Sequence, residues 1–144
     1  SSMRKKPLKD LWKQRYEEIN QWEEALVAND VSVLKFFLNV SKDEQKERFA
    51  ERLTNPEKHW KFSAADLRER EHWDTSQEAF EDMLNHTSTK HAPWHVIPAD
   101  RKWFARAAIA DIISSHIDDL DLEPPSVSAE QLAELEKARA ELGI

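Results

Sequence analysis

The sequence predicts a mostly helical α/β fold with two short parallel strands, and three observations carry that reading. "VSVLKFFLNV" (31–40) is a nearly continuous β-branched and aromatic run with Lys35 as its only charge, the pattern of a strand buried on both faces. "WHVIP" (94–98) is a second short run, ended by Pro98. The residues between them are mostly helical in pattern, and two strands joined by so long a crossover run parallel. Two strands alone make a poor sheet, so the apolar run at 31–40 argues for membership of a larger one.

The helices follow in order. Leu8, Leu11, Trp12, Ile19, Trp22 and Leu26 recur at three and four, giving a helix over 8–28 that Asn29 and Asp30 break. Ser41 and Glu44 have capping-box spacing and start a helix with Phe49, Ala50 and Leu53 on one side, ended by Asn55-Pro56. Ser63 and Asp66 read as a second capping box, opening a very polar helix that breaks or kinks near Trp73-Asp74-Thr75-Ser76. Ala79, Phe80, Met83 and Leu84 give the next stretch its apolar face. Residues 101–117 form a strongly apolar helix, with Trp103, Phe104, Ile109, Ile112 and Ile113 expected in the core. Residues 118–127 read as a linker, and Ser128 with Gln131 caps a last helix over 128–142.

Length and composition fit a single domain or partial domain over 1–144, with 40% hydrophobic residues and six tryptophans to build a core. Without cysteine, disulfides and thiolate metal sites are excluded. No apolar run reaches the roughly 18 residues of a membrane span, and the start lacks an apolar signal core, so a cytoplasmic protein is expected. Ser1-Ser2 before Met3 looks like the remnant of a tag. The net charge of −7 hides an asymmetry. Residues 111–136 hold eight acids and no Lys or Arg, most simply a solvated face, and the remainder is at +1. Gly143 is the single glycine where about ten are usual. A phosphate-cradling loop or dinucleotide fingerprint needs several, so this stretch of sequence holds neither.

Chemistry concentrates in "NPEKHWKFSAADLRERE" (55–71) and the helix before it. Arg48 and Arg52 share a helix face, and Lys58 and Lys61 follow past Pro56. Four converging cations suit phosphate, whose charge must be neutralised in place; Arg supplies a fork and Lys a point charge. The plainer reading pairs the arginines with Glu44, Glu47 and Glu51, since residues 42–72 hold eight basic and eight acidic side chains. Trp60 and Phe62 suit base stacking or anchoring of the loop to the core. His86, His91 and His95 lie close in sequence, but Pro93 forbids helical geometry between the last two and argues against a metal site.

"VLKFFLNVSKDEQKERF", "ERLTNPEKHWKFSAADLRERE" and "TSTKHAPWHVIPADRKWFAR", with "LWKQRYEEINQWEEAL" before them, resemble the C-terminal part of the polyphosphate kinase 2 family. The resemblance covers nearly the whole chain, about residues 8–142. It implies the C-terminal half of a P-loop kinase-like fold that moves phosphoryl groups between inorganic polyphosphate and nucleoside mono- or diphosphates of the AMP/ADP class, with Mg²⁺. By resemblance 31–40 is the fourth sheet strand, 41–90 a lid-like helical region and 94–98 the fifth strand. Arg48, Arg52, Lys58 and Lys61, with Arg68 and Arg70 behind them, are then the expected polyphosphate-binding residues. The family's glycine-rich loop and its acidic metal and base residues are not matched here. No catalytic residue or Mg²⁺ ligand is therefore assigned, and residues 1–144 alone are expected to be inactive. Ser76 also stands where the family usually has an aromatic.

With the fourth strand normally beside the first, an unpaired apolar edge implies a homo-oligomer or a complementing N-terminal half. Nucleic acid and membrane are not expected partners. The alternatives are a polyanion-binding or regulatory truncated paralogue, or a helical interaction protein without a ligand.

Overall fold

The computed structural model describes residues 8–144 and divides into two compact units, Ser1–Ile112 and Ile113–Ile144. Residues 1–7, with the serines read as a tag remnant, lie outside the described residues. In the first unit, α1 (Leu8–Val27) ends where Asp30 turns to φ +61 and the Val31 N–H reaches the Leu26 carbonyl at 3.1 Å. Then come β1 (Lys35–Asn39), α2 (Lys42–Thr54), a 3₁₀ helix (Pro56–Lys61), α3 (Ala64–Glu71), α4 (Trp73–Thr87), β2 (Trp94–Pro98) and the start of α5 (Lys102–Asp119). Among the described residues no helix is long and apolar enough to cross a membrane.

The two strands are parallel and in register, Lys35 opposite Trp94 through Asn39 opposite Pro98. Alternation sorts their side chains. Phe36, Leu38, His95 and Ile97 share one face, where Phe36 packs with Ala105, Ala108, Ile109 and Ile112 of α5 around Ile97 and Ala99. Lys35, Phe37, Trp94 and Val96 share the other, where Phe37 meets Phe80 of α4 at 5.2 Å between ring centroids.

That second face carries an ion pair in the interior. Lys35 Nζ donates to Glu23 Oε2 of α1 at 2.7 Å and to the Thr87 carbonyl at 2.5 Å, and lies 5.0 Å from the Trp94 ring centroid. The two charged side chains are 9% and 6% exposed, so water does not take over when the pair is broken. Thr87 Oγ1, fully buried, accepts the Trp94 indole N–H at 2.8 Å and donates to the Met83 carbonyl at 2.6 Å. One charge in a short strand thereby pins α1, β1, α4 and β2.

Several expectations are corrected. The strand is Lys35–Asn39, not 31–40, because only that stretch has a ladder partner, and its covering is partial, with Leu38 51% exposed. Trp103, Phe104 and Ile113 are exposed rather than core, since α5 is apolar nearly all round but only one side of it meets the sheet. Ser41 and Ser63 do cap their helices, yet neither box closes: Glu44 turns to Arg48 and Asp66 to Arg52. The stretch from Asn55 is a 3₁₀ helix rather than an open loop, because the Asn55 side chain accepts the Glu57 N–H and Pro56 fits a first helical turn. The break near Trp73 stands, with His72 between α3 and α4.

In the second unit, Ser128 and Gln131 form the expected capping box on α6 (Ala129–Leu142), and Gly143 at φ +71 closes it. The acids of 111–136 are all solvent-exposed.

Candidate functional site

The carboxyl ends of β1 and β2 are tied together. The Ala99 N–H donates to the Asn39 carbonyl at 2.8 Å, and the Ser41 N–H to Asp100 Oδ1 at 2.7 Å. Asp100 thus takes the orphan donor at the start of α2 that Glu44 leaves. The backbone hydrogen bond from Ser41, then the Ser41 hydroxyl and the charge of Arg48, hold its carboxyl below the usual Asp range. A carboxyl with a depressed folded pKa stabilises the fold above its unfolded value and loses that effect as pH falls through the folded one. The Ser41 amide chemical shift should therefore titrate below pH 3.8, the usual Asp value, and Asp100→Asn should abolish that titration. A shift flat down to the same acid limit in the wild type would refute the coupling.

From this anchor α2 presents two arginines. Arg48 Nε donates to Glu44 Oε1 at 2.7 Å, and its Nη2 donates to the Ala99 and Asp100 carbonyls at 2.7 and 3.2 Å. Arg52, one turn on, lies 5.3 Å over Phe49 and is 3.4 Å from Asp66 Oδ2 of α3. Arg70, at the end of α3, donates to the Lys42 carbonyl at 2.8 Å and to Gln45 Oε1 at 2.6 Å. Arg70 and Lys42 each lie 5.9 Å from the Trp73 ring centroid, so cations engage that indole. Arg48, Arg52 and Arg70 line one cleft of about 500 Å³ between α2 and the α3–α4 arm, with Val40, the residue after β1, at its inner end.

The six cations singled out in the sequence do not all converge. Lys58 pairs with Glu51 of α2, Lys61 lies 4.9 Å over the Trp60 ring, and Arg68 is exposed on α3; none lines the cleft. Trp60 is 79% exposed and anchors nothing, whereas Phe62 is half-buried. The arginine–glutamate pairing expected on the plainer reading holds for Arg48 with Glu44, while Arg52 finds Asp66 instead. His86 stacks on Tyr16 of α1 and His95 meets Phe36 on the other face of the sheet.

Residues passed over in the sequence stand at a second cleft, of about 340 Å³, at the strand ends: Asn39, Ser41, Pro98, Asp100, Arg101 and Phe104. The crevice outside the carboxyl ends of parallel strands is where open α/β sheets take ligands. The signal available was position alone, Asp100 and Arg101 falling between the second strand and the next helix.

The Mg²⁺ implied by resemblance does not fit these clefts. The larger is lined by three arginines and two carboxylates, Asp66 and Glu69, with Asp66 paired to Arg52, and among the described residues no group of three or more His, Asp or Glu is placed to hold a metal.

Comparison with known proteins agrees on one family. A sequence model described as polyphosphate kinase 2 matches residues 7–125. The chain is 54% identical over 129 residues to an "Uncharacterized protein in chlN 3'region" of Leptolyngbya boryana, covering 90% of this chain and 95% of that protein. It is 44% identical to the AMP/ADP-polyphosphate phosphotransferase of Meiothermus ruber, over 80% of this chain but 43% of that one. The crystal structure of polyphosphate kinase 2 from Arthrobacter aurescens TC1 superposes with a TM-score of 0.81 at 40% identity, over 88% of this chain and 45% of its own. The chain therefore spans less than half the length of these two, and its two parallel strands and flanking helices are part of a P-loop kinase-like architecture. The chain belongs to the polyphosphate kinase 2 family.

Proposed function

We propose that residues 1–144 are the cation-bearing, lid-side portion of a phosphotransferase that moves phosphoryl groups between inorganic polyphosphate and nucleoside mono- or diphosphates. The observation that carries this is the cleft that Arg48, Arg52 and Arg70 line together, with Val40 just past the end of β1. Guanidiniums suit the spread charge of a transferring phosphoryl group, and those of Arg48 and Arg52 each sit against one carboxylate that an arriving phosphate would displace. The name of the Meiothermus ruber relative supports the substrates.

These residues bind polyphosphate without transferring it. A single glycine forbids a phosphate cradle, and Mg²⁺ with its ligands belongs to the glycine-rich half of the fold. That half, joined to this chain or supplied by another, pairs with the free edge of β1. A second reading, a polyanion-binding module that never completes a kinase, is favoured by the Leptolyngbya boryana relative, of which this chain covers 95%.

Titration with medium-length polyphosphate at two salt concentrations tests the reading. Binding should weaken as salt rises, and Arg52→Ala with Arg70→Ala should lower affinity about tenfold or more while flattening the salt dependence. Affinity unchanged in that double variant would remove the cleft from the function. Phosphorylation of AMP or ADP by the purified chain would overturn its inactivity alone.

A further inference from the structure

Asp100 sits between the two clefts. Its side chain lines the smaller, at the strand ends, while its backbone carbonyl is held by Arg48, which lines the larger. It therefore meets α2 at two points. Oδ1 accepts the Ser41 N–H at 2.7 Å at the start of the helix, and the carbonyl accepts from Arg48 Nη2 at 3.2 Å, about two turns further on. The same Arg48 nitrogen reaches the carbonyl of buried Ala99 at 2.7 Å, and the Ala99 N–H in turn holds the Asn39 carbonyl of β1. Two points of attachment fix both the tilt and the rotation of a helix, where one alone leaves a pivot. The first turn of α2 also receives Arg70, which donates to the Lys42 carbonyl and to Gln45 Oε1. All three arginines of the larger cleft are thus referenced to the turn that Asp100 holds, Arg48 and Arg52 as members of α2 and Arg70 by docking on it. Glu44 and Asp66 each pair with a guanidinium there, whereas the Asp100 carboxyl is engaged by Ser41.

We propose that Asp100 is a positioning residue for polyphosphate binding: without touching the polyanion, it fastens the start of α2 to the strand ends and so sets Arg48, Arg52 and Arg70 at the spacing that phosphate meets. The role rests on the polyphosphate-binding reading above and extends it to a residue outside the arginine cleft. Its sign is opposite to that of charge alone. A carboxylate beside an anion site repels the ligand, so deleting one should tighten binding if charge were its whole effect. The hydrogen bond from Ser41 needs an acceptor oxygen and not a charge, so asparagine can keep it and alanine cannot.

The test is titration of the full chain with medium-length polyphosphate at two salt concentrations, with circular dichroism and urea denaturation of each variant to confirm that folded protein is compared. Asp100→Ala should weaken binding about five-fold, the factor equivalent to losing one helix cap, and Asp100→Asn should stay within about two-fold of wild type. In the Arg52→Ala, Arg70→Ala double variant, adding Asp100→Ala should weaken binding by less than about two-fold more, since two of the arginines it positions are gone. If the wild type loses affinity with the Arg52 and Arg70 substitutions, yet Asp100→Ala binds as tightly as wild type or tighter, the positioning role is overturned and the cleft stands. A lower denaturation midpoint without loss of affinity has the same meaning, and Asp100 is then a helix cap and no more. Equal weakening by Asp100→Asn overturns the hydrogen bond as its means. Full additivity with the double variant places the effect outside the cleft and also overturns the role. Absence of polyphosphate binding by the wild type at low salt removes the parent reading and the role with it.

Discussion

Replacing Lys35 with alanine should cost the first unit about 3–5 kcal/mol, the range for leaving one member of an interior ion pair without its partner. Glu23 would lose its partner in a site 6% exposed, and the Thr87 carbonyl would lose its donor. Against a total stability of about 5–15 kcal/mol that is roughly a fifth or more, so the denaturant midpoint should fall sharply. The expected rescue identifies the cause. Lys35→Met combined with Glu23→Leu removes both charges and keeps the volume, and should recover most of the loss. A single Lys35→Ala variant within about 0.5 kcal/mol of wild type by urea denaturation would mean that the pair is not desolvated in solution.

Lys35 also marks where the sequence was legible and where it was not. Its isolation in an apolar run was plain, but its partner was one of five acids on α1, and only folding selects Glu23 over Asp10, Glu17, Glu18 and Glu24. The order of the α-helices and strands, the parallel pairing and an interruption close to Trp73 were readable because each rests on local pattern: alternation, caps, Pro and crossover length. Burial was not readable for Trp103 and Phe104, because apolarity states what a side chain tolerates and not which neighbour is present. Within the candidate site, Arg48 and Arg52 followed from helical spacing. Arg70 joins them only because the α3–α4 arm folds back on α2. Glu44 and Asp66 had the spacing of capping residues, but a charged guanidinium is a better partner for a carboxylate than a neutral backbone N–H.

Mixing residues 1–144 with a separately prepared glycine-rich half of a relative, such as the Arthrobacter aurescens kinase, should give a one-to-one complex and restore polyphosphate-dependent phosphorylation of nucleotide. The surface argues for it. Trp103 at 66% and Leu38 at 51% exposure are the kind of residue a larger sheet and its helices cover. The free edge can be blocked selectively. The Asn39 carbonyl accepts from Ala99, so Lys35, Phe37 and Asn39 point their backbone groups at β2, while Phe36 and Leu38 point theirs at the open side. Leu38→Pro therefore removes an N–H from the docking edge and spares the existing ladder. It should weaken complementation about tenfold or more while leaving salt-sensitive polyphosphate binding intact, a separation that general unfolding would not give. Complementation by Leu38→Pro as efficient as wild type would show that the new strand does not dock on β1. Failure of the wild type to form any complex, with polyphosphate binding retained, would favour the stand-alone polyanion-binding module over the incomplete kinase.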